Sequence, residues 1–194
     1  MSDAGGAPDP RADLVRYYRW LRQHGLNDSH SGNASVRDGD AVWVTPTGCC
    51  GDTLTPEALL RCSPGGPPPA GASLDAPLHL AVYAASPGAR AVLHSHGPHS
   101  IAMTLAGGDF LPRDFEGRYY FPRVPVLDIP PEDYVARSPA AVAAALAGHR
   151  ACIVRGHGVY AAAETLDLAY KWTCSLESSA RLAWLARVAG TAGD

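Results

Sequence analysis

The stretch A-V-L-H-S-H-G, residues 91–97, decides how this chain is read. Residues 89–94, with the apolar run Ala91–Leu93 within them, read as a buried strand. Side chains two apart on a strand point to the same face. His94 and His96 therefore project side by side, Ser95 points away, and Gly97 ends the run. Two imidazoles so placed supply two of the nitrogen ligands that zinc takes. The best third candidate is His157 in R-G-H-G-V, residues 155–159, which also follows a buried apolar run and sits between two glycines. Three histidines leave one position of a four-coordinate ion open, as in catalytic rather than structural sites. The other five histidines (His24, His30, His79, His99, His149) read as surface or helix residues.

Around this stretch, strands and helices alternate. Leu14, Tyr17, Tyr18 and Leu21 give residues 11–24 a helical period, with Gly25 as the stop. Residues 34–37 and 41–45 read as two short strands joined by D-G-D, a hairpin signal. T-P-E-A-L-L, residues 55–60, reads as a short helix with Thr55 at its N-cap, and an edge strand precedes the G-G-P-P-P-A-G loop. Residues 75–85 and 99–105 read as helices and 124–127 as a strand, with a mixed aromatic segment between at 109–123. Ser138-Pro139 opens an alanine-rich helix ending at Gly148. Strands at 151–155 and 159–162 flank G-H-G, and a long helix over 165–188 closes the pattern. The order lacks the strict period of a parallel fold. It fits an α/β protein of three layers (α/β/α), with a mixed, largely antiparallel sheet flanked by helices.

Two further stretches bear on chemistry. In S-L-D-A-P-L-H, residues 73–79, Ser73 and Asp75 stand at a helix N-terminus, where free N–H groups favour anions. Asp75 reads either as the helix cap, with Pro77 in the first turn, or as a carboxylate beside the metal acting as acid/base or further ligand. Asn33 in S-G-N and Thr47 and Gly48 in T-P-T-G lie in loop ends rich in N–H and hydroxyl donors, suited to phosphate and equally to ordinary turns.

Composition sets the bounds. The 194 residues are 46% hydrophobic and 18% charged, enough for one packed core. Residues 1–10 are expected to be a flexible N-terminus and 11–194 one domain. Net charge is −3 with no Lys/Arg run, which argues against a nucleic-acid partner. No apolar stretch approaches the ~18 residues of a membrane span. The polar N-terminus and five cysteines without a C-x-x-C pair fit reduced thiols in a cytoplasmic protein.

Taken in order, S-G-N-A-S-V-R, V-T-P-T-G, S-L-D-A-P-L-H-L-A-V-Y, A-V-L-H-S-H-G-P-H-S, V-P-V-L, A-C-I-V-R-G-H-G-V and the long closing helix resemble the class II aldolase/adducin family over about residues 12–188. The resemblance implies a homotetramer with active sites at subunit junctions. It implies His94, His96 and His157 as ligands of one Zn²⁺, with Fe²⁺ or Mn²⁺ as alternatives. It implies Asp75 as the acid/base, and Asn33, Thr47, Gly48 and Ser73 as a phosphate cradle. The activity implied is a lyase that cleaves a C–C bond of a small hydroxy-ketone or sugar-phosphate-derived substrate through a metal-stabilised enediolate. Decarboxylase, 4-epimerase or a non-catalytic adducin-like scaffold are the alternatives. Three departures stand out. Asp75 occupies a position usually held by Glu, and Leu74 replaces the second of two serines. The chain also ends where longer relatives supply a tail tyrosine, so that Tyr119 or Tyr120 of a neighbouring subunit is the expected substitute.

Overall fold

The computed structural model describes residues 9–63 and 65–191. The flexible segment expected over residues 1–10 falls outside these except for its last two residues, and they are ordered. The Asp9 carboxylate accepts the Arg11 N–H at 3.0 Å and caps α1 (Pro10–Gln23).

Among the described residues seven strands form one sheet: β1 (Asn33–Asp38), β2 (Ala41–Val44), β3 (Leu60–Cys62), β4 (Ala91–Ser95), β5 (Val126–Leu127), β6 (Ala151–Val154) and β7 (Gly158–Ala163). Their order is β3-β2-β1-β4-β7-β6-β5. Only β5 and β6 run parallel; the other neighbours are antiparallel. β4 and β7 lie at the centre, with His94 opposite Tyr160 and Ser95 opposite Val159.

Helices cover both faces, giving the mixed sheet between helical layers that the sequence implies. On one face α1 and α6 (Leu166–Val188) bury Leu14, Leu21, Leu166 and Leu176 against Ala91, Leu93, Val159 and Ala161. On the other, α2 (Ala76–Ala85) and α5 (Tyr134–Leu146) bury Leu78, Val82, Val142 and Leu146 against Val92, Cys152, Val154 and Tyr160. Alternation along β4 turns His94 to the same side as Val92, towards α2 and α5. Two short helices, α3 (Pro98–Ala102) and α4 (Phe115–Tyr120), pack on α6. No helix among the described residues is long and apolar enough to cross a membrane, and all five cysteines are free.

Besides shorter elements than expected over 99–105, where α3 stops at Ala102, and over 124–127, where β5 holds only Val126–Leu127, the elements depart from the sequence reading in two places. Residues 55–60 form only a single 3-10 turn at Pro56–Ala58, without a side-chain cap from Thr55. The chain then extends, because Leu60–Cys62 pairs with β2 as the sheet's edge. The alanine-rich helix begins at Tyr134, upstream of Ser138, and holds Pro139 inside it. Pro139 removes one ladder bond, to Val135 next to the helix start, which the following turns tolerate. That earlier start places Tyr134 at the N-terminus of α5, beside the N-terminus of α2, where Asp75 stands.

Gly158 opens β7 against β4. A Cβ there would lie 2.5 Å from the Ser95 carbonyl oxygen, 2.8 Å from His94 Cε1 and 2.9 Å from His96 Cδ2. Overpacking of this kind costs about 1–3 kcal/mol. Gly158→Ala is therefore expected to lower the midpoint of thermal unfolding by several degrees, read by circular dichroism. Gly88→Ala, where a Cβ meets nothing within 4 Å, should leave it unchanged.

Candidate metal centre and active site

The three histidines named from the sequence meet. His94 Nε2 lies 3.0 Å from His96 Nε2 and 3.0 Å from His157 Nε2. Two nitrogens bound tetrahedrally to one zinc at ~2.0–2.1 Å sit about 3.3 Å apart. The spacing is thus already that of a shared coordination sphere, and the three side chains form a group that could hold a metal ion. The far nitrogen of His94 is committed: Nδ1–H donates to the Val159 carbonyl at 3.0 Å, which directs the Nε2 lone pair at the other two rings.

Ring orientation is fixed by two tyrosines. Tyr160 stacks on His94 with centroids 4.1 Å apart and planes within 2°. Tyr134 stacks on His157 at 4.6 Å and 12°. His96 is held through its backbone, whose N–H donates to the Leu26 carbonyl at 2.7 Å and to Asn27 Oδ1 at 3.0 Å. Just beyond, Glu177 of α6 clamps the next turn. One carboxylate oxygen accepts from the His99 N–H at 2.9 Å and from the His99 ring at 2.7 Å. The other accepts from the Ser100 N–H at 2.9 Å and the Ser100 hydroxyl at 2.7 Å. Gly97 leaves the space for this, since a Cβ would come within 2.4 Å of Glu177 Oε2.

Burial keeps the rings neutral. It lowers His94 to about 3, and it also lowers His96 and His157 from the ordinary imidazole value. A neutral imidazole offers a lone pair, so burial prepares these rings for a cation rather than a proton.

Asp75 joins them. It is buried, with Oδ2 4.0 Å from His94 Nε2. Although Asp75 stands at the N-cap position of α2, its side chain caps nothing. It instead accepts from Asn33 Nδ2 at 2.8 Å, the Tyr160 hydroxyl at 2.9 Å and the Tyr134 hydroxyl at 2.7 Å. Burial pushes its carboxyl up, but the hydrogen-bond donors around it, Asn33 and Tyr134 among them, pull it down, and it lies below the ordinary carboxylate range. Burial and the Asp75 charge push both phenols the other way, so they stay protonated as donors.

Of the four residues expected to cradle phosphate, Thr47, Gly48 and Ser73 fall on adjoining loops, while Asn33 opens β1 opposite His94. The Thr47 N–H donates to the Gly71 carbonyl at 2.9 Å and the Ser73 N–H to the Thr45 carbonyl at 3.1 Å, which draws Thr47, Gly48 and Ser73 together. Thr47 and Gly48 are exposed, and Gly48 takes φ 60°, a backbone that favours glycine. The Ser73 hydroxyl accepts the Asp75 N–H at 3.2 Å. Asn33 is turned onto Asp75 instead, and its Oδ1 is buried without a hydrogen-bond partner among the described residues. Leu74 is exposed. Tyr119 is exposed on α4, while Tyr120 packs on Trp172 of its own chain. Of the remaining histidines, His79 is on a helix yet wholly buried: its Nδ1 meets the Ser35 hydroxyl at 2.7 Å. A cleft of about 710 Å³ opens beside the triad, lined by His157, Tyr134, Ile129, Arg137 and Arg155 among others.

Tyr134, Tyr160, Asn27 and Glu177 do not stand out in the sequence. Tyr160 becomes legible only once the register places it opposite His94. Tyr134 is hidden by Pro139, which reads as a helix start, and Glu177 is one polar residue on a long helix.

The sequence profile described as Class II Aldolase and Adducin N-terminal domain matches residues 12–184. The chain belongs to the class II aldolase and adducin family. An L-fuculose-1-phosphate aldolase from Thermus thermophilus superposes with a TM-score of 0.88 and 35% identity, covering 96% of this chain and 99% of that one. A 5-methylthioribulose-1-phosphate/5-deoxyribulose-1-phosphate aldolase from Rhodospirillum rubrum is 29% identical over 181 residues, 90% of this chain and 80% of that protein. A 3-oxo-tetronate 4-phosphate decarboxylase from Cupriavidus necator is 34% identical over 102 residues, 50% of this chain and 46% of that protein. Within the family this chain stands among enzymes of the class II aldolase type, a lyase class.

The buried histidines make stability depend on pH in the absence of metal. His94 sits at about 3 and His79 at about 4 in the folded chain, against ~6.5 unfolded. Between those values only the unfolded state takes the protons. Stability is therefore complete above about pH 6.5 and falls as pH drops, by about 1.4 kcal/mol per pH unit for each histidine. Denaturant titrations of metal-stripped protein at pH 7.5 and 5.5 should show this loss; equal stability at both would contradict the neutral, buried assignment.

Proposed function

We propose that this chain is a zinc-dependent lyase that cleaves a C–C bond of a small hydroxy-ketone or sugar-phosphate-derived substrate in the retro-aldol direction. The observation that carries the reading is the convergence of three neutral imidazole nitrogens on one point, with the ionised Asp75 beside them. The donor set fits the ion: three nitrogens of suitable spacing, one anchored by a backbone carbonyl, and no thiolate to neutralise the charge. A bound Zn²⁺ supplies Lewis-acid stabilisation of the negative charge that grows on the substrate oxygen as the bond breaks.

The chain's own groups do the rest. Asp75, held ionised, takes the proton of the substrate hydroxyl as the C–C bond opens, and that proton then makes good the one a neighbour's phenol gives to the product carbon. Burial keeps water away and strengthens each charge interaction at the site. The substrate's phosphate is received by the Thr47, Gly48 and Ser73 loops with Asn33 behind them. Exposed Leu74 contributes no donor there, which loosens the demand for a phosphate and admits an unphosphorylated substrate. Four copies of the chain assemble, in the cytoplasm, so that Tyr119 or Tyr120 of a neighbour faces this site and serves as proton donor. A second reading, loss of CO₂ from a β-keto acid, uses the same charge stabilisation and is favoured by the similarity to the Cupriavidus necator decarboxylase.

The test is a screen of sugar phosphates, free ketoses and β-keto acids with metal-loaded protein, following aldehyde and CO₂ release. His94→Ala or His157→Ala should lose both bound zinc and turnover. Asp75→Asn should keep the zinc and lose about 10²–10⁴-fold in kcat, the usual scale of acid–base catalysis. Undiminished turnover by metal-free His94→Ala would overturn the reading.

A further inference from the structure

Two thiols stand side by side where the loop of Thr47 and Gly48 meets α1. Cys49 and Cys50 follow that loop directly, and both are free and half-buried. The Cys49 thiol donates to the Tyr18 hydroxyl at 3.8 Å. Tyr18 in turn donates to the Ser31 carbonyl at 3.0 Å, with the Gly32 carbonyl 3.3 Å away. The next residue, Asn33, pairs with His94 across the sheet. A thiol behind the loop is thereby linked to the turn that opens β1 at the histidine centre. Burial pushes the Cys49 thiol up and keeps it protonated as this donor.

Downstream of the pair the backbone is pinned. The Cys50 carbonyl accepts from the Thr53 N–H at 3.2 Å and the Leu54 N–H at 3.0 Å. The Gly51 N–H donates to the Ser29 carbonyl at 3.1 Å, and Gly51 packs so closely on α1 that a Cβ would lie 3.3 Å from Arg22 Cβ. Upstream the hold is weaker. The Cys49 N–H reaches the Pro46 carbonyl only at 3.4 Å, and around Gly48 a Cβ would meet nothing within 4 Å. Adjacent Cα atoms are ~3.8 Å apart, whereas a disulfide ordinarily joins Cα atoms ~4.4–6.8 Å apart. A bridge between these neighbours therefore forms only if the backbone bends. The bend falls on the side with room for it, at Gly48 and Thr47, and the bridge also takes the Cys49 donor away from Tyr18.

We propose that Cys49 and Cys50 form a redox-sensitive dithiol, closed by hydrogen peroxide, whose closure reshapes the Thr47–Gly48 loop and weakens its hold on a phosphate. The Cys50 sulfur attacks one peroxide oxygen, the O–O bond breaks, and a sulfenic acid and one water form. The Cys49 sulfur then attacks the Cys50 sulfur. The S–S bond forms, and the Cys49 proton leaves with the displaced hydroxyl as a second water. The two thiols give up two electrons and two protons, and the peroxide is reduced to water. A small thiol reopens the bridge by exchange. The effect on phosphate rests on the reading of this loop proposed above; the dithiol does not.

The test treats zinc-loaded protein with hydrogen peroxide, alkylates the remaining thiols and reads the mass of the peptide that carries residues 49 and 50. Binding of inorganic phosphate is measured by titration calorimetry on the reduced and the oxidised protein. The peptide should be lighter by two hydrogens, with neither cysteine alkylated. Phosphate should bind about tenfold more weakly after oxidation, the scale of one hydrogen bond to a charged group. Dithiothreitol should restore both readings, and Cys50→Ser should remove both responses to peroxide. If Cys50→Ser does not fold, Cys49→Ser should remove them likewise. Alkylation of both cysteines after peroxide, or a bridge from either to another cysteine, overturns the dithiol. A closed bridge with unchanged phosphate affinity overturns its control of the loop. Failure of the reduced protein to bind phosphate overturns the phosphate reading and that control with it, while the mass of the peptide still decides whether the dithiol closes.

Discussion

The structure depends on one register. Antiparallel pairing of β4 with β7 sets His94 opposite Tyr160, and the turn before β7 brings His157 back over the same spot. A shift of one residue would send His94 to the opposite face of the sheet, under α1 and α6. The register is specified by burial on both sides: Val92 must meet the layer of α2 and α5, and Leu93 the layer of α1 and α6. Packing thus fixes the position of three imidazoles that have no packing need to be together.

The site then follows from what burial does to each group. Imidazoles deprived of water lose their protons and keep their lone pairs. A carboxylate in the same place stays charged because it is surrounded by donors, one amide and two phenols. The result is a buried anion beside three neutral bases. In this pattern a divalent ion offsets charge that the protein alone leaves unbalanced. Glu177 and Asn27 have a quieter role, anchoring the backbone at His96 and in the turn just after it.

Much of this was legible in the chain. The i, i+2 spacing of His94 and His96 and the glycine-flanked His157 stated the centre, because strand periodicity translates directly into side-chain direction. The sheet between helical layers was legible from the alternation of apolar runs and caps. Asp75 could be placed at a helix start but not assigned, since capping and site chemistry ask for the same residue there. Tyr134 and Tyr160 were not legible: each looks like ordinary core until pairing and the early start of α5 turn its hydroxyl onto Asp75. Pro139 misled for a local reason, a proline inside a helix being rarer than one at its start.

The central claim is that three imidazoles from two separate strand ends bind a single catalytic ion. X-ray absorption at the zinc edge of the zinc-loaded protein tests it most directly. The account predicts a coordination sphere of three imidazole nitrogens at ~2.0–2.1 Å, completed by a light, exchangeable oxygen. A sphere containing sulfur at ~2.3 Å, or fewer than three imidazoles, would contradict it.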